Sequence, residues 1–322
     1  MSERSAVPPP VTAVLDASSR WLPTRLGEVE DRLRATIAPF ADSAVGEDAG
    51  ATLAAGGKRL RPMLVLLCAG EAGGEAAVRA ATAIELVHMA TLVHDDVLDQ
   101  APLRRGVPTV AATSGRLRAQ ATGDLLLSQA FALLAAAGDA RAVELLADAS
   151  VALARGELAQ RQDAFDLAID EERYLNRCRL KTATLFECAC LLGYDDERLR
   201  SFGSEVGLAF QLLDDVLDVS GPPERTGKAR GTDLLDGTIT LPLIIAAERD
   251  LAIRAVDLQG LDAAGAEALC DRIAATGALE EVRSRALAMV AAGKRALAGP
   301  GLETEQQQLL ELVADGVVQR YS

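Results

Sequence analysis

The chain has 322 residues, of which 49% are hydrophobic and 3% aromatic, and a formal net charge of −14. This length allows one large domain or two ordinary ones with a sizeable core. The acidic balance excludes nucleic acid as the main partner, because phosphate backbones attract basic surfaces. With so few aromatic residues the core must consist mainly of Ala, Leu and Val, which favours an all-α fold.

The numbers and spacing of the cysteines and histidines exclude some kinds of metal and redox site. The five cysteines form no CxxC pair, and two histidines are too few for a histidine-rich zinc site. The sequence has no signal-peptide pattern and no charge-free apolar stretch of about 18 residues or more. We therefore expect a cytoplasmic protein.

Taken in chain order, the sequence begins with a polar, proline-containing segment and then becomes helical in period. Residues 1–20 predict a flexible N-terminal arm. Apolar residues at three- and four-residue spacing predict helices at 24–39, 59–70, 75–99, 111–137, 139–160, 171–192, 195–220, 240–250, 262–276, 278–298 and 303–320. Without strand alternation or a long linker, the simplest prediction is one all-α helical bundle domain over residues 21–322.

The strongest signal is a motif that occurs twice, as His-Asp-Asp-Val-Leu-Asp and as Leu-Asp-Asp-Val-Leu-Asp, each at the end of an apolar helical segment. Positions i and i+4 share a helix face, so Asp95 lies with Asp99 and Asp214 with Asp218. Like charges repel at this spacing, and the C-terminal end of a helix is already partly negative. Such clusters need cations, and their hard oxygen atoms suit Mg²⁺ that is shared with substrate phosphates.

One copy of this motif would indicate no more than a solvated helix end. An EF-hand is excluded, because the glycine turn and the terminal glutamate are missing. Two copies that both follow apolar helices favour a pair of metal-binding clusters.

Basic residues gather around these motifs, first of all in the segment GGKRLRP at 56–62. The candidate substrate-binding cations outside that segment are Arg104, Arg105, Lys181 and Lys228. Arginine binds phosphate bidentately and lysine acts as a mobile point charge. Each cation alone could be an ordinary surface charge. For Arg59 taken by itself, this is the interpretation that we expect. Together with the aspartates they predict two anionic substrates, one bound through metal and the other by protein cations.

The motifs closely resemble those of the trans-prenyl diphosphate synthase (polyprenyl synthetase) family. The matching segments are GGKRLRP at 56–62, HMATLVHDDVLDQAPLRRGVPT at 88–109, LKTATLF at 180–186, FQLLDDVLDVSG at 210–221 and GKARGTDLLDGTITLPL at 227–243. This resemblance implies the isoprenoid synthase type I fold, a helical bundle with a central cavity. It also implies a Mg²⁺-dependent transferase that joins isopentenyl diphosphate head to tail to an allylic diphosphate.

By position, the resemblance implies a role for each motif residue. Asp95, Asp99 and Asp214 would ligate three Mg²⁺ ions, and Asp96, Asp215 and Asp218 would complete the shell. Isopentenyl diphosphate would be held by Lys58, Arg61, His88 and Arg105. The allylic diphosphate would be held by Arg104, Lys181, Gln211 and Lys228, with Thr182 at the reaction centre.

Thr238 departs from the family, because many short-chain members carry a lysine there. For His88, a purely structural role is the alternative.

Product length depends on the helix that leads to the first aspartate. In the family, bulky aromatic residues at the fourth and fifth positions before that aspartate close the tunnel. Here those positions are Thr91 and Ala90, with Val87 about one turn further. The small side chains predict a medium- or long-chain product of C30 or longer. The alternative is that Ala90 only packs against a neighbouring helix and another side chain, such as Phe131, forms the floor.

Three other functions stay open on the sequence alone. One is a short-chain synthase that makes farnesyl or geranylgeranyl diphosphate, and another is a terpene cyclase, which would not need Lys58, Arg61 and Arg105. The third is a non-catalytic subunit of a two-chain synthase, in which intact aspartate motifs would not be expected. The resemblance implies a homodimer, and the sequence leaves open a transient membrane contact for product release.

Overall fold

The structure is a computed structural model that describes residues 9–18, 21–104, 106–221, 230–299 and 301–319. Over these residues the chain is almost entirely helical. The described part contains one β-hairpin, with strands β1 (Leu103–Arg104) and β2 (Val107–Pro108) paired antiparallel. The predicted all-α fold is confirmed.

In chain order the α-helices of the described residues are α1 Pro9–Ala17, α2 Leu22–Ile37, α3 Ala44–Ala54, α4 Leu60–Ala69, α5 Gly74–Leu98, α6 Val110–Ser114, α7 Arg116–Ala136, α8 Ala140–Gln162, α9 Glu171–Cys178, α10 Thr184–Gly193, α11 Glu197–Ser220, α12 Thr232–Leu235, α13 Leu241–Arg249, α14 Leu251–Arg254, α15 Ala263–Ala275, α16 Ala278–Ala296 and α17 Thr304–Gln319. Short 3₁₀ turns lie at Ala38–Phe40, Glu71–Gly73 and Leu258–Gly260, and a π-helical turn at Arg179–Ala183 joins α9 to α10.

The helices predicted from periodicity are present with ends that differ by a few residues, although the predicted helix 111–137 is divided at Gly115 into α6 and α7. Four further helices of the described residues were not predicted: α1, α3 and the one-turn helices α12 and α14. Helix α3 contains two glycines, which hid its helical character; the Ser43 side chain caps it by accepting from the Gly46 backbone N–H. Helix α1 lies within the segment predicted as a flexible arm, and Val14 on it is fully buried. Proline at its start is compatible with a helix, because the first turn needs no backbone N–H donor.

By its internal contacts the chain divides into two compact units. The first comprises Met1–Ser150, Cys188–Arg200 and Gly299–Val313, and the second Val151–Glu187, Ser201–Ala298 and Ala314–Ser322. The single domain over residues 21–322 stays a prediction.

In the first unit, helix α5 is central and packs against α7, α4 and α2. It is apolar on nearly all sides, as expected of a helix that neighbours cover completely. Among the described residues, the stretch Glu71–Leu98 is the one helical segment long and apolar enough to cross a membrane, and 72% of its most apolar window is buried in the protein. Core helices of water-soluble proteins share this property. Its position explains how α5 carries the first aspartate motif out of the core.

In the second unit, helix α11 packs closely against the helical segment that contains the π-helical turn. A Cβ atom on Gly207 would lie 2.7 Å from the Cα of Ala183, so glycine is required for this approach. Helix α13 packs on α16, α15 and α9. The close approach brings the end of α11, with the second aspartate motif, beside residues 179–183.

Candidate active site

The first aspartate motif occupies the C-terminal end of α5. Asp95 and Asp96 lie in its last turn, and the backbone N–H of Asp99 donates to the carbonyl of Asp95 at 2.8 Å. Asp95 is half-buried and Asp99 exposed, whereas Asp96 is buried. The outer two carboxylates are therefore the ones accessible to a metal ion.

Arg104 holds the buried aspartate of this motif. Its Nε donates to Oδ1 of Asp96 at 2.8 Å, and its side chain on β1 keeps 30% of its surface exposed. The structure thus places Arg104, a residue predicted to bind the allylic diphosphate, directly beside the first motif. Arg105, predicted to bind isopentenyl diphosphate, lies outside the described residues.

The predicted cations of the GGKRLRP segment lie at the start of α4. Lys58 is exposed and Arg61 half-buried. Burial lowers the pKa of Arg61 to about 10, against the opposing charge of Glu85, so Arg61 is protonated at neutral pH. His88 lies half-buried on α5. All three belong to the first unit, as does Glu85.

The interpretation of Arg59 as an ordinary surface charge is wrong. Its side chain is only 11% exposed and forms ion pairs with Glu30 on α2 and Glu85 on α5. Glu85 itself is buried. Arg59 is therefore tied to two other helices.

The predicted chain-length positions lie along α5, which packs most extensively against α7. Val87 and Ala90 are buried, and Thr91 is half-buried with its hydroxyl donating to the carbonyl of His88 at 2.8 Å. Phe131 is half-buried on α7. Their role in product length stays a prediction.

The second aspartate motif lies near the end of α11 and repeats the pattern of exposure. Asp214 is exposed and Asp218 half-buried, whereas Asp215 is buried. Asp218 accepts the backbone N–H of Asp233 at 3.2 Å. As in the first motif, the middle aspartate points inward.

Asp215 is held by neutral donors instead of a cation. The Tyr174 hydroxyl donates to its Oδ2 at 2.5 Å, and the Gln211 amide donates to its Oδ1 at 2.7 Å. Burial and the nearby charge of Asp233 raise the pKa of Asp215 to about 8, although both hydrogen bonds act in the other direction. Burial and the Asp215 charge raise the pKa of Tyr174 well above its usual value, so the phenol stays protonated.

The π-helical turn carries two more predicted site residues. The Thr182 hydroxyl donates to Oε1 of Gln211 at 2.6 Å, which extends the hydrogen-bonded chain from Asp215 to the turn. Lys181 pairs with Glu157 at 2.5 Å. Burial alone would raise the pKa of Glu157, but the charges of Lys181 and Arg161 lower it. Single π-helical turns within α-helical segments are often found at functional sites.

The structure describes only part of the segment GKARGTD at 227–233, which resembles the family. Lys228 lies outside the described residues. Thr238, which replaces a lysine of many short-chain members, is half-buried, and its backbone N–H donates to the carbonyl of Asp233 at 2.8 Å.

Three acidic or phenolic partners of the site were missed from the sequence: Glu85, Glu157 and Tyr174. Glu85 could have been found, because an acid inside an almost wholly apolar helix must have a buried partner. Tyr174 lies seven residues before Lys181, on the same helical face. Glu157 has no comparable signal.

The exposed carboxylates fit Mg²⁺ better than a metal with a closed protein cage. Among the described residues, no three His, Cys, Asp or Glu side chains gather into a metal-binding group. Mg²⁺ usually takes one or two carboxylates and completes its octahedron with waters and substrate phosphates. Asp95 with Asp99, and Asp214, provide donors of this kind.

Known proteins with similar sequence or structure identify the family of this chain. The Polyprenyl synthetase family profile matches residues 44–263. Heptaprenyl diphosphate synthase component 2 of Geobacillus stearothermophilus is 40% identical over 286 residues, which are 85% of this chain and 88% of that protein. Octaprenyl diphosphate synthase of Escherichia coli (strain K12) is 38% identical over 246 residues, with 72% and 76% covered.

A solved structure gives the same result for the fold. The crystal structure of a decaprenyl diphosphate synthase from Rhodobacter capsulatus superposes with a TM-score of 0.86 and 32% identity, and the match covers 97% of this chain and 99% of that one. The isoprenoid synthase fold implied by the motifs is thereby confirmed. The chain belongs to the polyprenyl synthetase family.

Proposed function

We propose that this protein is a Mg²⁺-dependent trans-prenyltransferase that condenses isopentenyl diphosphate head to tail with an allylic diphosphate. Its product is an all-trans polyprenyl diphosphate of C30 or longer. The observation that carries the proposal is the repeated arrangement of each aspartate motif, with outer carboxylates accessible and the middle one fixed inside. Family membership and relatives named as heptaprenyl and octaprenyl diphosphate synthases support it.

Three of the four outer aspartates are the proposed metal ligands. Asp95, Asp99 and Asp214 would hold Mg²⁺, with three ions per site, and Asp96, Asp215 and Asp218 would orient the motifs and the bound water. When bound, Mg²⁺ supplies Lewis-acid neutralisation of the diphosphate leaving group. The protein itself offers the oxygen ligands and keeps them in place before substrate arrives.

The cations near the motifs would bind the allylic diphosphate and stabilise its departure. Arg104 and Lys181 are positioned by Asp96 and Glu157, Lys228 would add a third charge, and Gln211 and Thr182 would contact the same substrate. Charge arranged in advance lowers the barrier because it needs no reorganisation as the leaving group becomes anionic. With Thr238 in place of a lysine, Lys228 and metal must balance more of that charge.

Isopentenyl diphosphate would bind to Lys58, Arg61, His88 and Arg105. The allylic C–O bond breaks, the double bond of isopentenyl diphosphate adds to the allylic carbon, and the resulting cation loses a proton to the released diphosphate. No protein nucleophile is required. Orientation and exclusion of water are the contributions of the protein to this step.

An incubation of the purified protein with labelled isopentenyl diphosphate and farnesyl diphosphate tests the activity. We expect label in extended prenyl chains with Mg²⁺ and none with EDTA or without the allylic primer. Conversion of farnesyl diphosphate alone into a hydrocarbon would instead indicate a cyclase. Elongation that is independent of divalent metal would contradict the proposed ligands.

The small residues before the first aspartate support the long product. We propose that Val87, Ala90 and Thr91 border the path of the growing chain, so Ala90→Phe should shorten the product. Ala90→Val at the same position is the graded control, and its smaller side chain should shorten the product less. Chromatography of the dephosphorylated chains measures both changes. Unchanged product length in both variants would contradict the assignment.

A second arrangement is favoured by one observation, the 40% identity to a protein named component 2 of a heptaprenyl diphosphate synthase. In it, this chain would be the catalytic component of a two-chain enzyme. A homodimer remains our proposal for the chain on its own, in the cytoplasm, with transient membrane contact on release of the apolar product. Sedimentation and activity of the purified chain separate the two: an inactive chain rescued by a second component would favour the two-chain enzyme.

A further inference from the structure

The residue between the two proposed isopentenyl diphosphate ligands of the GGKRLRP segment has an unusual backbone conformation. Arg59 precedes helix α4 with φ 49°, in the left-handed region that non-glycine residues seldom adopt. A residue keeps such a conformation only where its surroundings enforce it. The side chain of Arg59 shows what those surroundings are.

The Arg59 guanidinium connects three helices of the first unit. Its Nε and Nη2 donate to the two carboxylate oxygens of Glu30 on α2, and its Nη1 donates to Oε1 of Glu85 on α5 at 2.7 Å. The exposed fractions of the side chains are 11% for Arg59, 31% for Glu30 and 3% for Glu85. The start of α4 is thus fixed to two elements that lie on either side of it in sequence.

The ion pairs match the chemistry of arginine and not of lysine. A planar guanidinium can reach two carboxylates in different directions, whereas an ammonium group is a single point charge. Burial alone would lower the pKa of Arg59, but hydrogen bonds and charges of Glu30 and Glu85 raise it. Breaking the contact would leave the buried carboxylate of Glu85 poorly compensated.

Glu85 also acts on Arg61, two residues further along. Its charge raises the pKa of Arg61 against the effect of burial. One buried carboxylate therefore faces both arginines of the segment. Lys58, Arg59 and Arg61 with Glu30 and Glu85 have a net charge of about +1, since three cations meet two carboxylates.

We propose that Arg59 is a positioning residue for the isopentenyl diphosphate subsite: its ion pairs with Glu30 and Glu85 fix the turn that presents Lys58 and Arg61. The inference rests on the proposed function of that subsite. Arg59 does not bind the diphosphate itself, because its guanidinium is engaged by both glutamates. Arg59 therefore affects one substrate through its neighbours and leaves the other substrate unaffected.

Arg59→Gln and Arg59→Lys test this proposal, with Arg32→Gln as the matched control. Arg32 is an arginine of α2 that pairs with Glu75 on the protein surface. We expect both Arg59 variants to raise the KM for isopentenyl diphosphate by about tenfold or more, because the loss of a charge-assisted hydrogen bond corresponds to at least that factor. The KM for the allylic diphosphate should stay within about twofold, and the control should change neither value.

The lysine variant distinguishes positioning from direct binding. If the charge of Arg59 contacted the diphosphate, Arg59→Lys would keep most of the affinity; if the guanidinium fork positions the turn, Arg59→Lys behaves like Arg59→Gln. A lysine variant close to wild type, or equal changes in both KM values, would overturn the proposal.

Calorimetric binding of isopentenyl diphosphate, measured without allylic substrate, keeps the inference separate from the catalytic proposal. Wild-type protein that binds isopentenyl diphosphate but makes no product would contradict the proposed function alone, and weaker binding by both Arg59 variants would still support positioning. Equal binding by wild type and variants, or no binding by the wild type, would overturn the inference. Thermal denaturation of each variant identifies any that fail to fold, and Glu30→Gln, which leaves the Arg59–Glu85 pair intact, then takes their place with a smaller expected rise in KM.

Discussion

The two aspartate motifs share the sequence Asp-Asp-Val-Leu-Asp and differ in how their middle residue is held. Asp96 is buried against the guanidinium of Arg104, whereas Asp215 is buried against Tyr174 and Gln211. A guanidinium donates to the first carboxylate, while burial and the charge of Asp233 raise the pKa of the second, against the effect of its two neutral donors. The same five residues therefore acquire different electrostatic properties from their surroundings.

Both motifs nevertheless divide their aspartates between two tasks. The outer aspartates are accessible and suited to share a metal ion with substrate, and the middle aspartates attach the motif to the rest of its unit. The first motif is attached to a β-hairpin, and the second to α9 and the π-helical turn. Substitutions of outer and middle residues should therefore have distinguishable effects.

The largest effect is expected for the outer aspartates. Asp95→Asn and Asp214→Asn should each lower kcat by about 10²–10³, as does the removal of one preorganised group that stabilises transition-state charge. Steady-state kinetics with saturating substrates at fixed Mg²⁺ measure it. Asp195→Asn, at an exposed aspartate that pairs with Arg141, is the control. A variant of either motif with nearly wild-type kcat would contradict its role as a ligand.

The next effect concerns the cation of the first motif. Arg104→Gln removes both a proposed allylic diphosphate contact and the partner of Asp96, so the KM for the allylic substrate should rise about tenfold to a hundredfold. Initial rates at varied primer concentration measure this change. The KM for isopentenyl diphosphate serves as the internal comparison, and an equal rise in both would speak for general damage to the fold.

The neutral attachment of the second motif should affect stability more than substrate affinity. Tyr174→Phe removes one donor from a buried carboxylate and should lower the free energy of unfolding by about 1–3 kcal/mol. Urea denaturation of metal-free protein measures it. Glu172→Gln, which alters an exposed side chain of the same helix, is a suitable control and should leave the stability nearly unchanged. A Tyr174→Phe variant as stable as wild type would show that the hydrogen bond contributes nothing.

The effect that is smallest within a single pH unit is a pH dependence of stability that arises from the second motif. The folded-state pKa of Asp215 is about 8, above the ordinary value near 4 in an unfolded chain. The folded protein thus retains a proton that the unfolded chain releases, and the free energy of unfolding should fall with rising pH by about 1 kcal/mol per unit between those values. Denaturation of wild type and Asp215→Asn from pH 5 to pH 8 measures it.

In that comparison the wild type should lose stability relative to Asp215→Asn as the pH rises. The Asp96→Asn variant retains Asp215 and should therefore lose stability with rising pH as the wild type does. A wild type that gains stability relative to Asp215→Asn over this range would contradict the environment assigned to Asp215.

Much of the fold could be predicted because its helices are long and regularly apolar. Periodicity located α5 and α11, and the repeated aspartates identified their ends as candidate metal sites. It missed α3, where Gly46 and Gly50 weaken the helical signal, and α1, where prolines suggested irregular structure. In both cases a cap or a first-turn proline compensates for weak local propensity.

The partners of the site residues could not be predicted in the same way. Tyr174 is 41 residues from Asp215, and Glu85 is 26 residues from Arg59. Periodicity shows which face of a helix a residue occupies, but contacts across such distances depend on how helices pack. The outer aspartates were recognisable from the repeated motif and its i, i+4 spacing, whereas the residues that hold the middle aspartates and Arg59 only become evident in three dimensions.

The central claim is tested most directly by the size of the chains that the purified wild-type protein makes from farnesyl diphosphate, isopentenyl diphosphate and Mg²⁺. After removal of the diphosphate, chromatography should resolve a ladder of all-trans products that ends at C30 or beyond. A ladder that stops at C20 would contradict the open path past Ala90 and Thr91. No elongation from any allylic primer, even with a second component supplied, would contradict the proposed activity itself.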